Sequence, residues 1–411
     1  MHAHIVTVGD ELLAGRTTNS NAAFIGQALS LLGVPAVQGT VVGDSVIDIA
    51  AAVTAALDAA DLVIVTGGLG PTHDDVTLEG VAAALGVPLV LNLAVQALIV
   101  ERYRRWGRTI PAGAERMAMV PEGAAVLPNE WGTAPGLHLR INQRHLIVLP
   151  GVPREMRGIM TESVTPLVRA MPGRQPVHFR ALATAGVPES RLSELIADLI
   201  PPPDSAIRLA FLPGYGGVEL RLSTQGDSAA LDRLAKAITA RIGRAFVGDA
   251  AEGDLVGHVS RICKSRGYTL ATAESCTGGL VGKLFTDLPG SSEFYTGGVV
   301  AYDNRIKQEF LGVSAEQLQT FGAVSEEVAL AMAAGVRQRF ASTFGLSVTG
   351  IAGPGGGTEQ KPVGLIWLGL AHPGGTAAHR LILAGDREQN RLRAAYAAID
   401  FLRRHLALAA K

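Results

Sequence analysis

Over the first 170 positions, short apolar runs alternate with longer stretches in which apolar residues recur every three or four positions. Runs of the first kind suit strands buried on both faces, and those of the second suit the helices that cover them. The pattern predicts strands at His4 to Val8, Ala36 to Val41, Leu62 to Thr66 and His145 to Leu149. Helices are expected near Ser20 to Leu32, Ser45 to Ala59, Thr77 to Leu85 and Pro153 to Ala170. This is the order of a doubly wound α/β sheet.

The order changes after Met171-Pro172-Gly173. A strand (Val177 to Thr184), a helix (Glu189 to Leu199), two strands around Gly214 to Gly217, a helix (Ala229 to Ile242) and a last strand make a small βαββαβ module. From Asp254 the α/β pattern returns. It runs through a helix (Leu255 to Arg266), a strand (Thr269 to Ala273), a helix opening at Thr277 and a strand (Gly297 to Tyr302). Helices through Arg337, strands near Leu346 to Thr349, Val363 to Ala371 and Ala377 to Leu383, and a final helix from Arg387 complete it. The chain therefore divides into 1–171, 172–252 and 253–411, without an internal repeat.

Composition narrows the classes. Hydrophobic residues make up 48% of the 411 and charged residues 18%, which excludes a disordered chain. With 36 Lys and Arg against 37 Asp and Glu, no charge excess draws the chain to nucleic acid or to anionic lipid. The uncharged stretch from Gly80 to Val100 is interrupted by Pro88, Asn92 and Gln96, so it reads as a helix end, a turn at Gly86-Val87-Pro88 and a short buried strand rather than a membrane span. The run Ile5 to Val8 is too short for a signal peptide and meets Asp10 and Glu11 at once. Cys263 and Cys276 are the only cysteines, which suits a reducing compartment. A cytoplasmic protein with no membrane partner is expected.

The chain has 49 glycines, and their excess sits in short clusters rather than a repeat. Gly67-Gly68-Leu69-Gly70-Pro71-Thr72-His73-Asp74-Asp75 follows the strand from Leu62, and leads into a helix at Thr77. Such a turn lets backbone N–H groups approach a phosphate. It is neither a Walker loop nor a dinucleotide fingerprint. Asp74 and Asp75 would repel that phosphate unless a divalent cation sat between them. Gly9-Asp10-Glu11 and Pro150-Gly151 end two further strands, and in open α/β sheets ligands bind beyond the carboxyl ends of the strands. Gly214-Tyr215-Gly216-Gly217 matches the GxxG of a nucleic-acid clamp, but it joins two strands rather than two helices and reads as a hairpin.

A second set lies in the last part. Glu274-Ser275-Cys276-Thr277-Gly278-Gly279 stands between a strand and a helix, where helix-terminal N–H groups would stabilise an oxyanion. Ser275 and Cys276 compete as nucleophile. No histidine falls in a glycine or strand-end motif of this part, so the available base is Lys307, whose pKa must then drop below its ordinary value of about 10.4. Arg305 would help to lower it. Gly350-Ile351-Ala352-Gly353 opens a second glycine loop, and Arg387 stands at a helix start with a fork suited to phosphate.

Asp10-Glu11-Leu12, Gly67 to Thr72 with Asp75-Val76-Thr77, Gly132 to Gly136 and Leu149-Pro150-Gly151 resemble the molybdopterin-binding-like domain that opens the competence/damage-inducible CinA proteins. Glu274 to Gly279, Tyr302 to Lys307, Gly350 to Gly357, Lys361 to Gly364 and Gly385-Asp386-Arg387 resemble their C-terminal nicotinamide-nucleotide amidase domain. The resemblance implies a KH-like middle module that acts as a spacer or in dimerisation. In the first domain it implies metal-dependent hydrolysis of ADP-ribose to AMP and ribose 5-phosphate. Asp75 is then catalytic, Asp75 and Asp74 hold a divalent metal, and Gly9, Asp10, Glu11, Gly67, Gly68, Gly70, Pro71, Thr72 and Gly151 bind substrate. In the last domain it implies metal-free deamidation of nicotinamide mononucleotide. There Ser275 is the nucleophile, Lys307 its base and Tyr302 a further catalytic residue. Thr277, Gly278, Gly279, Asn304, Gly350, Ile351, Ala352, Gly353 and Arg387 bind the nucleotide. A homodimer without nucleic-acid partners is expected. The competing readings are a competence or recombination accessory protein whose pockets sense ligands, and molybdopterin-related nucleotide chemistry in the first domain.

Overall fold

The computed structural model describes residues 1–408 apart from 112 and 176. The chain forms two compact units, Met1–Val177 and His178–Lys411, so the middle module and the last domain share one body.

Strands β1 (Ala3–Val8), β2 (Ala36–Val42) and β3 (Leu62–Thr66) of the first unit are followed by the outlying pair β4 (Leu89–Leu91) and β5 (Met119–Pro121). After β6 (Ala125–Leu127), β7 (Gly136–Ile141) and β8 (Arg144–Leu149), the main sheet has the order β2-β1-β3-β8-β7-β6. The first four of these neighbours are parallel, and β7 and β6 add an antiparallel edge. Alternation along the buried strands feeds two cores. Val6, Val63 and Val65 pack with Ile49 and Val53 of the helix Val46–Ala59, while Ile5, Leu62 and Ile64 pack with Ile25 and Leu29 of the helix Ser20–Leu31. Helices thus cover both faces, as expected of a doubly wound sheet.

The strand after Pro88 forms, but it is not buried: Val90 and Leu91 are exposed, because β4 pairs only with β5, outside the main sheet. The helix expected from Pro153 runs as Pro153–Ile159, passes through a wider π-type turn at Met160–Val164, and continues as Thr165–Ala170.

In the second unit β9 (His178–Thr184), β10 (Ile207–Gly214), β11 (Gly217–Thr224) and β12 (Phe246–Asp249) form an antiparallel sheet in the order β10-β11-β9-β12. Gly214 pairs with Gly217 across the turn, so the GxxG sequence is indeed a hairpin. The helix Ser228–Ile242 starts on an Asp227 cap, and buries Leu231, Ala235 and Ile238. Strands β13 (Leu270–Glu274), β14 (Tyr295–Val300), β15 (Phe344–Gly350), β16 (Leu365–His372) and β17 (Gly375–Ile382) make the last sheet, ordered β14-β13-β15-β16-β17. The three on the β14 side are parallel. The final helix, Arg387–Leu408, packs Ala394, Ala398 and Leu402 into the core of this sheet. Among the described residues, no helix is long and apolar enough to cross a membrane.

Candidate active site

In the first unit, the parallel register brings Val8, Thr66 and Leu149 to one edge, and the three glycine motifs follow there together. Gly67 holds φ +115° with its N–H on the Leu149 carbonyl at 3.2 Å, and a Cβ on it would strike the Val8 carbonyl. A Cβ on Gly151 would lie 3.2 Å from the Gly67 Cα. The strand ends therefore close backbone against backbone, a geometry that glycine alone permits at Gly67.

Beyond them lies a cavity of about 240 Å³. Gly9, Glu11, Gly67, Gly68, Gly151 and the carboxylates Asp74 and Asp75 line it, as the sequence indicated. Gly70, Pro71, Thr72 and Asp10 stand outside that lining. Gly70 borders a separate small cavity beside Arg116, and Thr72 donates from its N–H to Asp75 at 2.9 Å, closing the loop on itself. Asp10 exchanges bonds with Asp44: the Asp10 N–H donates to Asp44 at 3.0 Å, and the Asp44 N–H to Asp10 at 3.2 Å.

Sequence reasoning missed Asp44 and Asn21, which also line the cavity. The Asn21 amide donates to the Gly151 carbonyl at 2.8 Å and to the Thr66 hydroxyl at 3.2 Å, so the helix Ser20–Leu31 holds the strand ends in place. Burial, and then the facing charges of Asp10, Glu11 and Asp74, push the Asp44 carboxyl above its usual range. A cation would relieve that repulsion. Among the described residues no three acidic, histidine or cysteine side chains converge as a cage. The donor set fits a magnesium-like ion held by one or two carboxylates plus substrate phosphate oxygens.

In the second unit, adjacent strands bring a distant serine and lysine together. Ser275 follows β13, and Lys307 lies on the helix Asn304–Leu311, which starts just beyond β14 on an Asp303 cap. Both face a cavity of about 260 Å³, together with Tyr302, Asn304, Gly350, Ile351, Ala352, Gly353 and Arg387. Lys307 is 1% exposed and donates to the carbonyls of Ala301 at 2.8 Å and Tyr302 at 3.3 Å. Burial lowers its pKa, against the pull of Asp303. The two carbonyls hold the amine in place at the cavity. Arg305 takes no part: it is exposed and lies 4.0 Å from Glu309. The Cys276 thiol is buried and pushed up to about 12, so it stays protonated.

The turn after Ser275 differs from the sequence expectation. The helix opens at Leu280, not Thr277, because Gly278 and Gly279 both take positive φ, at +61° and +96°. Its first N–H groups are occupied. Buried Glu274 accepts from Gly279 at 2.9 Å, Val281 at 3.0 Å and Gly282 at 2.8 Å. The carboxylate fills the place assigned to an oxyanion, and these groups cannot serve the reaction. Thr277, Gly278 and Gly279 accordingly stand outside the cavity lining, and Thr277 is fully buried.

Two residues of the last helix complete the site. Arg391 donates to the carbonyls of Cys276 at 3.2 Å and Thr277 at 2.9 Å; Asn390 donates to those of Ala352 at 3.1 Å and Gly385 at 2.9 Å. Both escaped sequence reasoning, although they lie one turn beyond Arg387. Arg387 bridges the Gly353 carbonyl at 2.6 Å and the Tyr302 hydroxyl at 3.0 Å, so the exposed Tyr302 ring supports the arginine at the cavity mouth.

These features define an α/β protein with a cavity at the strand ends of its first large sheet and another at those of its last. Family models match the chain in three stretches: a probable molybdopterin binding domain over residues 4–170, the KH domain of damage-inducible protein CinA over 179–248, and the CinA C-terminal domain over 253–406. A CinA-like protein of Gemmatimonas aurantiaca is 44% identical over 99% of this chain and 97% of its own length. Another from Synechocystis sp. is 42% identical over 99% of each. The solved structure of the protein CinA from Thermoplasma acidophilum, a protein of unknown function, aligns at 38% identity and TM-score 0.38 over 40% of this chain and 97% of that one. The chain belongs to the CinA family.

Proposed function

We propose that the second unit deamidates nicotinamide mononucleotide to nicotinate mononucleotide, with Ser275 as nucleophile and Lys307 as base. The observation that carries this reading is the pairing, in one cavity, of a serine with a buried lysine whose amine faces two carbonyl acceptors. The protonated state of Cys276 favours the serine over its neighbour. Ser275 Oγ attacks the carboxamide carbon as Lys307 takes the hydroxyl proton. That proton passes to the departing nitrogen, ammonia leaves, and an ester remains on Ser275. Water then attacks the ester with Lys307 again as base, releasing the carboxylate and the free serine. Arg387, at the mouth, supplies a fork for the nucleotide phosphate.

In the first unit the same proposal assigns hydrolysis of ADP-ribose to AMP and ribose 5-phosphate. A divalent ion bound there would neutralise the pyrophosphate charge and activate water. Asp75 and Asp74 would hold it together with the substrate phosphates, and Gly67, Gly68 and Gly151 let the backbone approach those phosphates. The test is incubation of the whole chain with nicotinamide mononucleotide and, separately, with ADP-ribose plus magnesium. Stoichiometric ammonia in the first and AMP in the second are expected. Absence of both products would favour a ligand-sensing accessory protein.

A further inference from the structure

The opening at Ser275, about 260 Å³, is not the largest in the second unit. A cavity of about 610 Å³ lies where the Gly186–Glu189 loop and the β10–β11 hairpin turn face β17 and the last helix. Its volume is within the range of small-molecule sites, roughly 300–1,000 Å³. Neither reaction above uses it.

Its walls combine two chemistries. Tyr215, Tyr396 and Phe401 give aromatic surface, and His379 stacks on Phe401 with ring centroids 5.8 Å apart. Most of the charge comes from the last helix, and Glu189 adds one exposed carboxylate on the opposite wall. The buried Asp400 carboxylate is shared by Arg403 and Arg404, each at 2.7 Å, so this cluster carries one positive charge in excess. Arg404 is half exposed at the cavity, and Arg393 adds a second guanidinium to the lining. The loops are shaped to this wall: a Cβ on Gly216 would lie 3.1 Å from the Tyr396 ring, and one on Gly186 would strike Arg404. Aromatic faces beside planar cationic forks suit a flat ring that carries an anion.

We infer that this cavity is a second ligand site that takes a mononucleotide, its base against the aromatic wall and its phosphate on Arg404 and Arg393. The inference stands independently of the deamidation reading. Its location adds consequence, since Arg391, which clamps the Ser275 turn, and Arg393, which faces this cavity, are on the same helix.

The test uses the full chain with Tyr215→Trp as a fluorescent reporter at the half-exposed hairpin tip. AMP and nicotinate mononucleotide are titrated, with adenosine and inorganic phosphate as separate arms. A saturable change with at least one mononucleotide is expected, at least tenfold weaker with adenosine or phosphate alone. Arg404→Gln leaves Asp400 paired with Arg403 and should weaken the mononucleotide at least tenfold. Arg393→Gln, at an exposed position, provides a second variant that does not disturb the core, and should weaken it several-fold. No saturable change with either mononucleotide at millimolar concentration would overturn the inference, and so would affinity unaltered in both arginine variants.

Discussion

The guanidinium of Arg391 donates to the Thr277 carbonyl at 2.9 Å, and so ties the last helix to the turn that follows Ser275. With its second bond to the Cys276 carbonyl, it fixes that turn from one side while Glu274 fixes it from the other through three N–H groups. Ser275 is therefore held between a carboxylate that precedes it and a guanidinium more than a hundred positions later in the chain.

Arg391 should act by positioning. Arg391→Ala is expected to lower kcat for deamidation about 10- to 100-fold with little change in KM, because the serine is displaced while the cavity mouth remains. Added guanidinium should restore part of the loss. A variant whose KM rises and whose kcat is untouched would place Arg391 in substrate binding instead.

Glu274 is the complementary case. Glu274→Gln leaves a neutral oxygen to meet N–H groups that a carboxylate now satisfies, at a cost of about 1–3 kcal/mol. A fall in the denaturation midpoint with an unchanged denaturant slope is the expected readout. Unaltered stability would mean that the helix start does not depend on the charge.

Much of this arrangement was legible beforehand, and the part that was not has physical causes. Fully buried strands such as β3, LVIVT, announce themselves, and the glycine motifs at their ends mark the ligand edge. The helix Leu93–Arg105 and the strands β5 and β6 were not read. The helix buries only Val95 and Ile99, and the strands are three residues long, too short to show a period. Ser275 and Lys307 are legible as candidates because each lies within a recognisable motif. Arg391 and Asp44 were not, because their roles arise from tertiary placement: one touches backbone carbonyls remote in sequence, and the other faces Asp10 across neighbouring strand ends. The oxyanion assignment failed for a local reason, since two consecutive left-handed glycines postpone the helix to Leu280.

Lys307 predicts a pH dependence of definite sign. Burial lowers its pKa, so the catalytic neutral form grows as pH rises, and kcat should increase with pH to a plateau, with its inflection below the ordinary lysine value. Stability should follow the same direction. The folded state binds fewer protons than the unfolded chain between the lowered and the ordinary pKa, so stability rises with pH across that window and is lost below it. Lys307→Met should flatten the stability trend and remove activity. Deamidation that falls as pH rises through this window would contradict the assignment of the base.

The first unit predicts metal dependence confined to one reaction. Chelator, or Asp75→Asn, should abolish AMP release from ADP-ribose and leave ammonia release near wild type, because the cavities belong to separate compact units. Asp44→Asn, which removes a carboxyl facing Asp10, Glu11 and Asp74, should raise the magnesium concentration needed for half-maximal rate. Full AMP release in excess chelator would remove the ion from the account.

The most direct test compares neighbouring residues. Ammonia release from nicotinamide mononucleotide is measured for Ser275→Ala, Lys307→Ala, their double variant and Cys276→Ser. Each of the first two should lose roughly 10³-fold or more, and the double variant should be little worse than either, because nucleophile and base act as one unit. Cys276→Ser should remain active, since a thiol pushed up to about 12 is not the expected nucleophile. An inactive Cys276→Ser beside a nearly normal Ser275→Ala would contradict the account and make the cysteine the nucleophile.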